Sequence, residues 1–246
     1  MSIARDYTGI CPLSVDPVAM RHRWDQLTFV HWRYDPEVVQ ALLPPGLTVE
    51  TFDGSAWVGL VPFIMEVRSK RGRVIPWPFR FPETNVRTYV IGPDGQPAVW
   101  FFSLDATRLG IVPSARATYR VPYFWSKMSV ERSGDTMTYT LRRRWPGPRG
   151  ARSFVKVEIG DRYEDGELTP FDHYLTARWV LFGSWGRRLL EANAEHDPWP
   201  LHHATAEVSD ELTMAAGLPH PSGGPVVHWS PGVDVLIGLP HQARIG

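Results

Sequence analysis

The chain has 246 residues, 43% hydrophobic and 12% aromatic, enough to bury the core of one large β domain. Its 26 basic residues balance its 26 acidic ones, so no net field draws it towards nucleic acid. One cysteine, Cys11, excludes an intrachain disulfide and fits a reducing compartment. The start MSIARDYTG lacks a signal-peptide core, and no apolar run is long enough for a membrane helix. A cytoplasmic protein with no membrane and no nucleic-acid partner is expected.

In chain order, residues 1–23 read as a loose arm punctuated by Pro12 and Pro17, and residues 24–246 as a single domain. Residues 24–34 (WDQLTFVHWRY) predict a strand. Asp35-Pro36-Glu37 predicts a helix start, with an N-cap acid, proline at the first helical position and an acid in the first turn. Val38, Val39, Leu42 and Leu43 give that helix an apolar stripe, and Pro44-Pro45-Gly46 stops it. Residues 47–52 and 56–67 then form a hairpin pattern around the turn Asp53-Gly54. Residues 68–84 are Pro-rich and basic and predict a long loop.

From Asn85 to Met128, strand-like runs of Val, Phe, Tyr and Trp alternate with polar groups. Asn85, Arg87 and Tyr89 share one face of a strand, and Val86, Thr88 and Val90 the other. If both faces are covered, the Asn-Arg-Tyr row is buried and needs partners or a ligand. Turns follow at 92–95 and 133–135, and WPGPRGA separates a strand ending near Arg144 from one starting near Ser153. Thr169-Pro170 opens a short helix in FDHYLTARW, residues 178–208 hold two or three strands, and Ser209 caps a helical turn in DELTMAA. The pattern predicts a mainly β fold: a single curved antiparallel β-barrel with two or three short helices and a polar pocket.

The segments HWRYDPEVVQALLPPGL, WVGLVPF, NVRTYV, AVWFFSLDA, ARATYRVPY and HWSPGVDV resemble the YqjF-like family of uncharacterised bacterial proteins, within the acetoacetate decarboxylase-like superfamily. The resemblance covers roughly residues 20–240. It implies a cone-shaped antiparallel barrel with small helices and an interior cavity, and fold alone does not carry function. Decarboxylases of that superfamily carry a Pro-Lys-Lys segment whose first lysine forms a Schiff base. The matching stretch here is Val121-Pro122-Tyr123-Phe124, so both lysines are replaced. The nearest amine is Lys127, on the face of Tyr123 in an ideal strand but roughly 13 Å further along. The superfamily's tuning acid has no clean match, its region being the basic RSKRGR. Ordinary acetoacetate decarboxylase activity is not expected. Related barrels often assemble, which leaves a homo-oligomer open, and no stripe identifies an interface.

Each candidate site residue has a plainer role beside its functional one. Arg87, with Asn85 and Tyr89, offers a planar fork for a carboxylate, or else pairs internally with Asp105 or Glu66. Arg116 and Arg120 alternate with apolar residues in ARATYRVPY, and Arg116 either lines the cavity mouth or lies on a solvated face. Asp105 is a general base if desolvated, or a turn cap after its strand. Tyr123 donates a hydrogen bond to a ligand carbonyl or is packed by its ring. Trp100, Phe102 and Trp125 supply apolar wall or simply core. The histidines, His31, His202, His203 and His228 among them, show no compact ligand spacing, so no metal is expected. Dinucleotide, phosphate-loop and nucleophile-elbow motifs are absent, and nothing requires a cofactor.

These readings converge on a small-molecule ligand in the barrel cavity. As an enzyme, the protein would catalyse a lyase- or hydrolase-like step on an organic acid or carbonyl compound. Arg87 and Asn85 would hold the ligand, and Tyr123, Asp105 and Lys127 are the candidates for chemistry. The alternatives are a non-catalytic binder or sensor with the same cavity, and a structural or partner-binding barrel packed solid.

Overall fold

The computed structural model describes residues 7–68, 79–185 and 188–243. The elements run β1 (Val18–Tyr34), α1 (Pro36–Gln40), β2 (Thr48–Val49), β3 (Ala56–Arg68), β4 (Arg80–Ile91), β5 (Pro97–Ala106) and α2 (Ile111–Thr118). They continue with β6 (Tyr123–Ser133), β7 (Thr136–Trp145), β8 (Arg152–Arg162), α3 (Pro170–Thr176), β9 (Val180–Trp185) and β10 (Arg188–His196). The last are β11 (His202–Asp210), α4 (Leu212–Ala215), β12 (Val226–Gly238) and β13 (His241–Gln242).

One sheet, ordered β13-β10-β9-β5-β6-β7-β8-β11-β12-β1-β3-β4-β2, contains every strand, and the extra pairings β5–β4 and β10–β12 close it twice. The wider ring is a nine-stranded barrel, β5-β6-β7-β8-β11-β12-β1-β3-β4. The second ring runs β5-β9-β10-β12-β1-β3-β4 and shares the last four of those strands and β5 with the barrel. Because side chains alternate along a strand, the shared strands feed two cores. On β1, Leu27 and Phe29 join one cluster while Val30, Trp32 and Tyr34 join the other; on β3, Val61, Phe63 and Met65 oppose Ala56, Val58 and Leu60. Pairing is antiparallel except for two short parallel contacts, β5–β6 and β5–β9.

Several elements depart from the sequence expectations. The arm is shorter, since β1 begins at Val18 and pairs with β12 and β3 from its first residues. The loop expected over 68–84 yields to strand, with β3 running to Arg68 and β4 starting at Arg80; residues 69–78 lie outside the described residues. Pro82 tolerates that strand because proline lacks only the donor. Among the described residues four helices form rather than two or three. The unexpected one, α2, covers part of ARATYRVPY, so Arg116 sits on a helix rather than on an alternating strand. Asp35 caps α1 and Thr169 caps α3 with a reciprocal box to Asp172, both as the capping residues predict. At α4, Ser209 stays in β11 and Asp210 accepts from the Thr213 amide.

Candidate functional site

The second ring encloses a cavity of about 100 Å³, room for several waters or a small organic molecule. Its wall is mostly aliphatic, Met and Phe, with His22, Trp24, Glu83, Asn85, Arg87, Tyr119 and Tyr123 as the polar or amphipathic members. The register orders five of these along β3. His22 lies opposite Val67, Trp24 opposite Met65, Glu83 opposite Phe63, Asn85 opposite Val61 and Arg87 opposite Gly59. Successive levels are two residues apart, roughly 6.6 Å by the strand rise. The Arg87 end is closed over by Tyr89, Tyr174 and Leu175, all fully buried, whereas Met20, His22, Trp24 and Tyr119 are partly exposed.

Arg87 is one of three buried arginines among the described residues, with Arg143 and Arg178. Arg143 holds Asp105 through two hydrogen bonds, 2.8 Å from Nε to Oδ1 and 2.5 Å from Nη2 to Oδ2. Arg178 holds Glu50 at 2.9 Å. Arg87 has no carboxylate partner among the described residues; its Nη2 donates to the Leu175 carbonyl (3.1 Å) and Tyr89 Oη (3.3 Å), and its buried Nε bonds to nothing. A buried cation without a counter-charge is costly, and this one faces a cavity. Asn85 Oδ1, Trp24 Nε1 and His22 Nδ1, on three other lining residues, are also buried without a partner.

The support behind Arg87 comes from α3. The last carbonyls of a helix have no partner within it, and here Leu175 O receives both Arg87 and the Tyr89 hydroxyl while Thr176 O receives Trp199 Nε1. Tyr89 gives its one proton to Leu175, so the His31 Nε2 at 2.6 Å from Tyr89 Oη must be the donor there. Burial, reinforced by Arg87, holds His31 well below its usual pKa and therefore neutral.

Glu83 and Tyr123 form the second polar group. The Tyr123 hydroxyl donates to Glu83 Oε2 at 3.0 Å. Burial pushes the Glu83 carboxyl up to about 8, with Asp105 adding to the shift and the Tyr123 bond opposing it. Burial, then Glu83, raises Tyr123 well above the ordinary phenol range. Near neutral pH the pair is thus a carboxylic acid beside a phenol, able to donate a proton to a carbonyl oxygen.

Of the candidates from sequence, Asn85, Arg87 and Tyr123 line the cavity together. Tyr89 lies behind it, bracing Arg87. Arg87 pairs with neither Asp105 nor Glu66; Glu66 bonds Arg68 at 2.8 Å. Asp105 is inside β5, not at a turn, and points into the other core, where Ser126 and Arg143 occupy it. Phe102 also faces that core, because a register shift between Val86 and Arg87 turns Phe101 and Leu104 to the cavity instead. Lys127 is exposed on β6. Arg116 donates to the Tyr123 carbonyl at 2.7 Å, and with Trp100 it borders a surface groove; Trp125 borders another with Arg142, Arg144, Trp145 and Arg149. Among the described residues no lysine lines the cavity and no group of three or more His, Cys, Asp or Glu could hold a metal.

Glu83 and His22 escaped the sequence reading. The period-two series Phe81, Glu83, Asn85, Arg87, Tyr89 points to Glu83, but Pro82 and the basic run before it mask the strand. Met20 and His22 continue the face of Trp24 back from the predicted strand into what reads as an arm.

A family model described as an uncharacterized conserved protein, DUF2071, matches residues 21–234. YqjF of Bacillus subtilis (strain 168) is 34% identical over 219 residues, covering 88% of this chain and 89% of that one. The enduracididine biosynthesis enzyme MppR complexed with pyruvate superimposes with a TM-score of 0.64 at 15% identity, over 94% of this chain and 92% of that one. An acetoacetate decarboxylase-like enzyme from Sphingomonas wittichii RW1 gives 0.65 at 15% identity, over 95% and 96%. The acetoacetate decarboxylase of Legionella pneumophila gives 0.65 at 12% identity, over 94% and 90%. At these identities the structural matches establish the fold.

Proposed function

This chain belongs to the DUF2071 family, with YqjF as a relative, and from that premise we propose that it binds a small organic acid or carbonyl compound in its cavity and acts on it without an imine. The observation that carries the reading is Arg87, a buried guanidinium with no carboxylate partner among the described residues, lining the cavity beside Asn85. A ligand carboxylate would supply the missing charge through a charge-assisted hydrogen bond. Glu83, held protonated by burial, would donate to the ligand's carbonyl oxygen, and Tyr123 would steady the carboxylate left behind. Exclusion of water would strengthen each of these contacts.

That MppR is complexed with pyruvate is consistent with an oxo acid as ligand. With tyrosine and phenylalanine where the superfamily's paired lysines would stand, the chemistry would be acid catalysis rather than a Schiff base. A cytoplasmic location fits the single cysteine.

The test is ligand-observed NMR with pyruvate and acetoacetate, followed by turnover, for the wild type and the Arg87→Gln, Glu83→Gln and Tyr123→Phe variants. Binding lost in Arg87→Gln, with turnover alone lost in Glu83→Gln, is the expected result. Binding undiminished in Arg87→Gln would remove the clamp. Binding without turnover of any compound would leave a non-catalytic binder or sensor, the alternative that the missing lysines also fit.

A further inference from the structure

The basic segment RRRWPGPRGAR, residues 142–152, takes no part in the cavity. It forms the turn between β7 and β8 and, with Leu109 and Trp125, lines an open surface groove of about 750 Å³. Two backbone hydrogen bonds fix the base of the turn, from Arg143 N to Ala151 O at 2.9 Å and from Gly150 N to Arg143 O at 3.0 Å. Burial alternates along β7, so Arg143 turns inward to Asp105 while Arg142 and Arg144 face outward.

Two features set this surface apart. Arg142 stands directly opposite Lys127 on β6 and Arg152 on β8, and all three are exposed. Like charges opposite one another work against strand pairing. None of these side chains, nor those of Arg144 and Arg149, has a carboxylate partner among the described residues. Elsewhere on the surface Arg23, Arg68 and Arg80 each pair with an acid. The other feature is Trp145, 42% exposed at the groove and opposite Trp125. No acid lines the groove among the described residues.

We propose that this groove binds a nucleoside polyphosphate, its phosphates held by Arg142, Arg144 and Arg149 and its base stacked on Trp145. An anion relieves the repulsion along the cation row, and arginine forks match phosphate oxygens bidentately. An exposed indole offers a face to a planar base. A two-fold pairing of this face with a second copy would instead set cation against cation. With strands about 4.8 Å apart, the row from Lys127 to Arg152 is only about 10 Å wide. That suits a compact run of phosphates better than a nucleic-acid strand, whose sites take roughly four or more nucleotides.

The experiment is calorimetry with ATP, GTP, adenosine and inorganic tripolyphosphate, in EDTA, on the full-length wild type, on Trp145→Ala and on the double variant Arg144→Gln with Arg149→Gln. A nucleoside triphosphate is expected to bind the wild type more tightly than either tripolyphosphate or adenosine, with an affinity that falls as salt rises. The double variant is expected to weaken ATP and tripolyphosphate alike by about tenfold or more. Trp145→Ala is expected to weaken ATP by about tenfold and leave tripolyphosphate unchanged. Pyruvate binding should be the same in all three proteins, since none of the substituted residues lines the cavity. No nucleotide binding to the wild type at low salt, tripolyphosphate bound as tightly as ATP, or equal ATP affinity in all three proteins would overturn the proposal. Tighter binding of a short single-stranded oligonucleotide or of phosphatidylserine vesicles would also overturn it and reassign the face to a nucleic acid or a membrane. Self-association lost in Trp145→Ala, without nucleotide binding, would reassign it to a second copy. If either variant fails to fold, the comparison of ATP with tripolyphosphate and adenosine on the wild type still decides.

Discussion

Glu83 is a carboxyl group 1% exposed with no cation paired to it among the described residues, so desolvation dominates its protonation state. Its folded pKa, about 8, lies above the ordinary value of 4.5. Stability from this group is therefore fully present below pH 4.5 and is lost as pH rises through about 8. Glu83→Gln removes that loss and keeps an acceptor for Tyr123. It is expected to raise stability at pH 7 by up to about 3 kcal/mol, with the gain vanishing below pH 4.5 in urea titrations repeated across pH. Equal stability of variant and wild type at both pH values would show that Glu83 is ionised in the fold. Asp105, by contrast, has a cation beside it, the buried Arg143 guanidinium. Asp105→Asn leaves that guanidinium without its counter-charge and is expected to cost about 3–5 kcal/mol in equilibrium unfolding.

At the scale of elements, Arg87 is aimed by pieces from three strands and a helix. β1 supplies His31, β4 supplies Tyr89, α3 supplies the Leu175 carbonyl, and β3 makes room with Gly59. A Cβ on Gly59 would lie 2.6 Å from His31 Nε2, too close for the His31–Tyr89 bond to survive. Gly59→Ala is expected to cost about 1–3 kcal/mol, as overpacking does, and to weaken acid binding although residue 59 touches no ligand. The capping box of α3 gives a milder version. Thr169→Ala removes the side-chain acceptor of the Asp172 amide and is expected to cost about 1 kcal/mol. Thermal unfolding beside acid affinity checks both variants. Full affinity in Gly59→Ala would separate the His31–Tyr89 support from the clamp.

Across the whole molecule, buried histidines set the acid limit. Burial of the ring lowers His22 and His196 to about 4, and burial, with Arg87, holds His31 well below its ordinary value. A depressed pKa contributes stability that is present above 6.5, the ordinary value, and lost as pH falls towards 4. Three such histidines outweigh the opposing slope of Glu83 between 4.5 and 6.5, so these groups together place the stability maximum near pH 6.5. In the Glu83→Gln variant stability should instead stay level from pH 6.5 to 8, measurable as the midpoint of urea unfolding. The described amines Lys127 and Lys156 are exposed, the latter beside Glu158. Borohydride with pyruvate is accordingly expected to yield no adduct on either, by peptide mass mapping.

Local chemistry explains which parts were readable from the chain. Asp35-Pro36 and Thr169-Pro170 start helices through contacts within one turn, and the period-two row Asn85, Arg87, Tyr89 lies on one strand face. Because these signals depend on neighbours in sequence, the sequence by itself determined the strand-rich class, two helix starts and the polar row through Asn85 and Arg87. Only the tertiary structure decided which partners those side chains meet. Asp105 and Tyr123 come from adjacent strands, yet one enters the core shared with Arg143 and the other the cavity with Glu83. The register shift that exchanges Phe102 for Phe101, and the pairing of 18–23 that brings His22 to the wall, depend on strands far apart in the chain. The same non-local closure leaves Arg87 without a carboxylate among the described residues while Arg143 and Arg178 each receive one. Register and ring closure are cooperative properties of the whole sheet, so no single segment of the sequence carries them.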